Sequence, residues 1–441
     1  MIKLDEELYN KYVKLGRGNW GRGYNLLKTM YLGYLQLIKD EEFTPVVELS
    51  INVFLEIFKA RRNETPIIMY PFNFGPEIFH AMDITPLMQE MFSVGLAPSH
   101  LNEIYLDFTN KVGYGDNPTL CNAQRPLIGA YMQDSAPIPD LLFFLSTPCN
   151  PLSISYQVFQ QLTGVPSFNI DIPYWAYNEV SEFYDEKTMR YIIDQLKSLI
   201  SWLEKQTKQK LNPDKFQQTM LWLNEAREYA LEFNELLKTV PCPADSVAGY
   251  TNTICMATRG GTYDAVKGTK FLRDTAAENV KNGIGGIPDE KIRIAWPYTH
   301  VFFDYGLFPW LEREFNAVTI LDLIGFYQPL PQDISTNEKC FESLAKGTLD
   351  FPMIGTCRGP IEYYIDFVIN YVKDYKVDCV IFPMQFACKH AYLMTRVTSE
   401  AVREETGVPT LIFGVDPYDS REVTSDAIRG KISEFLTQIV L

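Results

Sequence analysis

Residues 139–173 read PDLLFFLSTPCNPLSISYQVFQQLTGVPSFNIDIP. The unbroken apolar run Leu141–Leu145 has the texture of a strand buried on both faces. LSISYQVFQQLTG has helical spacing and closes on Gly164, a residue suited to the left-handed turn that ends a helix. VPSFNIDIP is a second short apolar run. Strand, helix, strand is the βαβ unit of a parallel sheet, and it carries a thiol, Cys149, at the end of its first strand.

The same texture begins upstream at TPIIMYPFN, from Thr65. It returns after Lys291 in KIRIAWPYT, AVTILDLIGF, VDCVIFPMQF and VPTLIFGVDP, each followed by a helical segment, the last being TSDAIRGKISEFLTQIVL. Residues 1–64 have helical spacing in YNLLKTMYLGYLQLIKD and PVVELSINVFLEIFKARR, and MRYIIDQLKSLISWLEKQTKQ and QQTMLWLNEAREYALEFNELLKTV predict a packed helical insertion. The expected architecture is α/β: two doubly wound, flavodoxin-like parallel-sheet domains with a helical N-terminal segment and a helical insertion. The expected boundaries are a helical segment over 1–64, an α/β domain over 65–174, insertion and linker over 175–285, and a second α/β domain over 286–441. No short-period repeat is visible, although two α/β halves of similar size leave a distant duplication open.

The 441 residues are enough for two or three cores, and 46% hydrophobic with 22% charged residues is an ordinary globular composition. A net charge of -15 without a basic stripe argues against duplex nucleic acid as a partner. The N-terminus lacks the layout of a signal peptide and no apolar run reaches membrane-spanning length, so the expected address is the cytoplasm, with no membrane partner. Eight cysteines in that setting read as reduced thiols, metal ligands or core residues.

Functional groups of open parallel sheets gather beyond the carboxyl ends of the strands. Cys149 lies at such an end, and so does Cys388 in VDCVIFPMQFACKHAY. Cys121, in NPTLCNAQRPLIGAYM, precedes a helix. The spacing of Cys121, Cys149 and Cys388 matches no local zinc or ferredoxin pattern, so by spacing alone buried free thiols compete with metal ligands. Cys379 reads as core, Cys242, Cys255 and Cys340 carry no signal, and Cys357 in GTCRGP lies in an expected loop where it is exposed, reactive or a ligand. His300 and His390 follow strand ends and are candidate proton-transfer groups, competing with ordinary cleft histidines. No P-loop, H-E-x-x-H or G-x-S-x-G motif occurs. NGIGGIP reads as a linker, and ATRGGTYDA as the start of a helix rather than a phosphate cradle.

Four pieces, in order, resemble one family: LCNAQRPLIG, with Arg125 four residues after Cys121; DLLFFLSTPCNPLS with FNIDIP after its helix; DCVIFPMQFACKH; and the tail GVDPYDSREVTSDAIRGKISEFL. Together they resemble subunits of the 2-hydroxyacyl-CoA dehydratase and benzoyl-CoA reductase family, from about Thr65 to Leu441. The resemblance implies an oxygen-sensitive [4Fe-4S] cluster held by Cys121, Cys149 and Cys388, with one iron open to solvent or substrate. It implies removal of water from a 2-hydroxyacyl-CoA through a ketyl radical, or reduction of an aromatic ring. It also implies two partners: a second subunit, homologous or identical, and a separate ATP-hydrolysing iron-sulfur activator, in keeping with the absent P-loop. Arg125 becomes a candidate for a substrate phosphate or carboxylate, or for a structural ion pair. Two alternatives stay open. One is a branch that reduces small molecules with a double-cubane [8Fe-9S] cluster, for which Cys255, Cys357 and Cys379 are spare thiols; the other is an electron-relay or accessory subunit without its own substrate pocket. KHAY after the third cysteine departs from the acidic residue of many relatives.

Overall fold

The computed structural model describes residues 22–37, 44–115, 120–175, 182–322 and 326–440. In chain order, α1 (Arg22–Leu37) and α2 (Thr44–Arg62) lead into β1 (Ile67–Tyr70), α3 (Glu77–Ala81), β2 (Thr85–Met88), α4 (Met91–Leu96), α5 (Asn102–Lys111), α6 (Arg125–Met132), β3 (Leu141–Leu145), α7 (Asn150–Thr163) and β4 (Ser167–Ile170). Four helices follow: α8 (Glu186–Thr207), α9 (Pro213–Leu236), α10 (Ala248–Arg259) and α11 (Tyr263–Asn282). The second half runs β5 (Ile292–Trp296), α12 (Leu307–Phe315), β6 (Ala317–Asp322), α13 (Asn337–Asp350), α14 (Ile354–Cys357), α15 (Ile361–Asp374), β7 (Cys379–Gln385), α16 (Lys389–Thr406), β8 (Thr410–Val415) and α17 (Ser425–Phe435). Residues 1–21 and 38–43 of the expected N-terminal helical segment lie outside the described residues.

The fold is α/β with two all-parallel sheets, as the sequence predicts. Their strand orders are β2-β1-β3-β4 and β6-β5-β7-β8, the same order counted within each half. The inner strands β1, β3, β5 and β7 are buried along nearly their whole length, which is why they read as continuous apolar runs rather than alternating ones, whereas the edge strands β4 and β8 each carry an exposed residue, Asn169 and Ile412. Ile68 and Tyr70 pack toward the insertion helices while Ile67 and Met69 pack toward α1 and α2. Ile294 and Trp296 likewise face one core and Ala295 the other.

Local signals start the insertion helices. Asp185 caps α8 by accepting from Lys187 and Thr188 N–H at 3.1 and 3.0 Å, and Asn212 caps α9 with Pro213 in the first turn. ATRGGTYDA is a helix start: Gly261, at φ +80, turns the chain and Thr262 caps α11. In NGIGGIP, Gly283 closes α11 at φ +66, and a Cβ on Gly286 would lie 2.1 Å from the backbone carbon of Ala244. Among the described residues no helix is long and apolar enough to cross a membrane.

Candidate functional site

In each sheet the winding direction reverses between its first and third strands in chain order, and loops leaving those strands bound a crevice. Here the loops after β1, β3, β5 and β7 contribute Phe72, Cys149, His300 and Cys388 to one cavity of about 810 Å³. Asn73 ties the first two loops together by donating to the Thr147 carbonyl at 3.1 Å.

The two half-buried cysteines occupy equivalent places. Cys149 is the N-cap of α7 and Cys388 the N-cap of α16, each helix following the third strand of its sheet. Cys388 Sγ accepts the Ala391 N–H at 3.5 Å, whereas the Cys149 side chain makes no capping hydrogen bond. Cys121 comes from the turn before α6, where its carbonyl accepts from Gln124 and Arg125 N–H at 3.0 and 3.2 Å. Cys357, at the end of the single-turn α14, lines the same cavity. The structure therefore brings Cys121, Cys149 and Cys388 together, with Cys357 added; the expected loop around Cys357 is a helical turn.

A helix N-terminus favours a thiolate, but at Cys149 burial opposes it more strongly. Burial, then the charges of Cys149 and Cys388, pushes Cys121 well above its usual range. Burial raises Cys149 to about 12, with Cys388 and Cys357 among the charges adding to it. A soft cation binding these sulfurs would release their protons and remove the mutual repulsion. Among the described residues no three thiol, imidazole or carboxylate groups close on a point for a single ion. A cluster of several metals spreads its thiolates further than one ion does, and an all-thiol set suits iron and sulfide. The residues fit such a group.

Around the sulfurs, Tyr298 Oη donates to Gln385 at 3.0 Å and reaches Cys388, and Tyr418 stacks on Phe302 with centroids 5.2 Å apart. Glu90, just past β2, faces the cavity; its carboxylate accepts from Phe72 N–H at 2.8 Å and from Gln124 at 3.3 Å. Burial raises it to about 7. His300 lies against Tyr250 and Phe308 at 4.3 and 4.6 Å, and His390 lines the cavity with its pKa lowered by burial and by Lys389. Met88, Met91, Val94, Val301 and Phe302 supply an apolar wall, with Arg313 and Lys389 as nearby cations.

Arg125 is buried and does not line the cavity. Its guanidinium donates to Asn122 at 2.8 Å, Thr109 at 3.1 Å, the Leu106 carbonyl and Asn110. Asn122 in turn donates to Asp416 at 2.7 Å, bridging the halves. Burial raises Asp416 to about 7. Sequence reasoning missed Glu90, whose only signal is a lone acid after TPLM, and Tyr298, two residues past β5.

The sequence profile described as "2-hydroxyglutaryl-CoA dehydratase, D-component" matches residues 71–439. The chain is 23% identical over 370 residues to the (R)-phenyllactyl-CoA dehydratase alpha subunit of Clostridium sporogenes, covering 79% of this chain and 83% of that one. It is 24% identical over 299 residues to the alpha subunit of (R)-2-hydroxyglutaryl-CoA dehydratase of Acidaminococcus fermentans, covering 66% and 58%. Against the lactoyl-CoA dehydratase alpha subunit of Anaerotignum propionicum it is 23% identical over 372 residues, covering 78% and 84%.

Proposed function

The chain belongs to the 2-hydroxyglutaryl-CoA dehydratase D-component family, and from that premise we propose that it is the [4Fe-4S] subunit of an enzyme removing water from a 2-hydroxyacyl-CoA. Cys121, Cys149 and Cys388 would hold the cluster. The observation that carries this reading is the convergence of those thiols, from both sheets, on one largely apolar cavity. Bound there, and fed by an ATP-hydrolysing activator, the cluster supplies the low-potential electron that dehydration of an unactivated 2-hydroxy acid requires.

The chain's own residues do the rest. The apolar wall of Met88, Val94 and Phe302 excludes water and takes the acyl chain. Arg313 and Lys389 meet the phosphates of CoA. Glu90, protonated below about pH 7, donates to the departing 2-hydroxyl and, as carboxylate, accepts the 3-proton, with His390 an alternative acceptor. The relatives named as alpha subunits support a second subunit as partner. Only four of the eight cysteines face the cavity, while Cys255 and Cys379 are buried in separate cores, which favours one cube over a double cubane.

The test is iron and acid-labile sulfide per chain on protein purified without oxygen, beside Cys121→Ala, Cys149→Ala and Cys388→Ala variants. About four irons, lost in each variant, is the expected result. About eight would move the reading to the double-cubane reductase. No iron after anaerobic reconstitution would remove the cluster from the proposal. Equilibrium dialysis with acyl-CoA separates the enzyme from a relay subunit, which would load iron but bind no thioester.

A further inference from the structure

Four of the eight cysteines behave as ordinary core thiols. Cys255 donates to the Ala265 carbonyl at 3.7 Å and Cys340 to the Ile334 carbonyl at 3.6 Å, while Cys242 and Cys379 are enclosed in the two cores of the second half. Cys357 differs. It lines the cavity of the three candidate ligands, its charge acts on Cys149, and that of Cys388 acts on it. Tyr174, which donates to the Pro148 carbonyl beside Cys149, feels both Cys149 and Cys357.

The backbone around Cys357 is held at some cost. Met353, at the start of α14, has φ +69, a conformation that residues with a Cβ adopt with strain. Directly after the thiol, Arg358 is almost wholly buried, its guanidinium donating to the Phe183 carbonyl and lying 4.1 Å from the Phe183 ring centroid. The Arg358 carbonyl accepts the Trp175 N–H at 2.8 Å, and a Cβ on Gly359 would lie 2.9 Å from the Trp175 ring. A buried cation and a strained turn thus fix this cysteine against the segment that follows β4. Filling space alone would not call for either.

We propose that Cys357 is a fourth sulfur ligand at this site, capping the iron that Cys121, Cys149 and Cys388 leave open. The inference rests on the cluster reading above. The resting site is then closed by protein sulfur, and an acyl-CoA gains access to the fourth iron only when Cys357 is released from it.

Mössbauer spectroscopy of anaerobically reconstituted, 57Fe-enriched protein tests this without turnover. In the wild type the four irons are expected to share sulfur-only coordination. Cys357→Ala is expected to keep about the same iron per chain, unlike the other three variants, while about a quarter of the signal separates as a distinct subsite. Cys379→Ala, which removes a core thiol, is expected to leave the spectrum unchanged. A wild-type spectrum that already contains the distinct quarter overturns the proposal, and it decides the matter even if Cys357→Ala fails to fold. Superimposable wild-type and Cys357→Ala spectra overturn it too. Failure of the wild type to load iron sinks the cluster reading as a whole, whereas iron with an uncapped spectrum sinks only the role of Cys357.

Discussion

Replacing Asn122 with alanine removes one bracket between the two halves. Its amide donates to Asp416 Oδ2 at 2.7 Å and its carbonyl accepts from Arg125 Nη1 at 2.8 Å. A hydrogen bond to an ionised group is worth about 1.5–3 kcal/mol and a neutral one about 1 kcal/mol. Arg125 is charged at every working pH, so its lost bond costs about 2 kcal/mol throughout. Asp416 titrates. Burial raises its carboxyl to about 7, so the fold favours the neutral acid, and wild-type stability declines as pH rises from 3.8 through about 7. At pH 6 the acid is mostly neutral and its lost bond costs about 1 kcal/mol; at pH 8 it is ionised and the loss is about 2 kcal/mol. Asn122→Ala should therefore weaken this region by about 3 kcal/mol at pH 6 and about 4 kcal/mol at pH 8. Native-state hydrogen exchange over α6 and residues 416–420, corrected for intrinsic rates, reads this as opening. The amides should exchange about two powers of ten faster at pH 6 and about three at pH 8. Equal acceleration at both pH values, or less than about tenfold at either, would refute the assigned bracket and charge state.

Three further outcomes are expected. Burial raises Glu90 from 4.5 to about 7, so its ionisation weighs on the fold as pH rises through that window; Glu90→Gln should gain on wild type by about 1–3 kcal/mol between pH 5 and 8, after allowance for water in the cavity, and parallel denaturation midpoints would contradict this. Arg293 is buried with Glu290 at 2.9 Å and also donates to the Leu237, Thr239 and Tyr375 carbonyls; Arg293→Leu should cost about 3–5 kcal/mol in thermal unfolding, partly recovered by adding Glu290→Leu. Gly286→Ala places its methyl carbon 2.1 Å from the Ala244 backbone, so limited proteolysis should cut the 283–288 join faster than in wild type, and an unchanged rate would mean the backbone yields there freely.

Burial on both faces made most strands legible, because Leu141–Leu145 and Cys379–Phe382 have no polar face to interrupt them. β2 escaped notice: four residues with a proline, lying at a sheet edge, give neither a long run nor an alternation. Cys149 and Cys388 declared themselves through their place after a strand, whereas Cys121, lying before a helix, gained weight as a ligand chiefly through resemblance to relatives. The approach of Cys357 to Cys388 was hidden, since α15 and β7 intervene and no spacing rule spans them. Arg125 drew attention as a cation near a candidate ligand, yet its acceptors Leu106, Thr109 and Asn110 belong to α5, whose packing against α6 is tertiary information. Glu90 is an ordinary acid in sequence and becomes unusual only once the cavity encloses it.

The matching positions of Cys149 and Cys388, each opening the helix after the third strand of its own sheet, have a mechanical side. A cluster gripped there would rivet one half of the molecule to the other. Among the described contacts, the polar fastenings beside it include the Asn122 to Asp416 bond and the Asn102 bond to the Tyr418 carbonyl. Oxygen that dismantled the cluster would then also loosen a joint, so that oxidative loss would register as altered stiffness between the halves as well as lost chemistry.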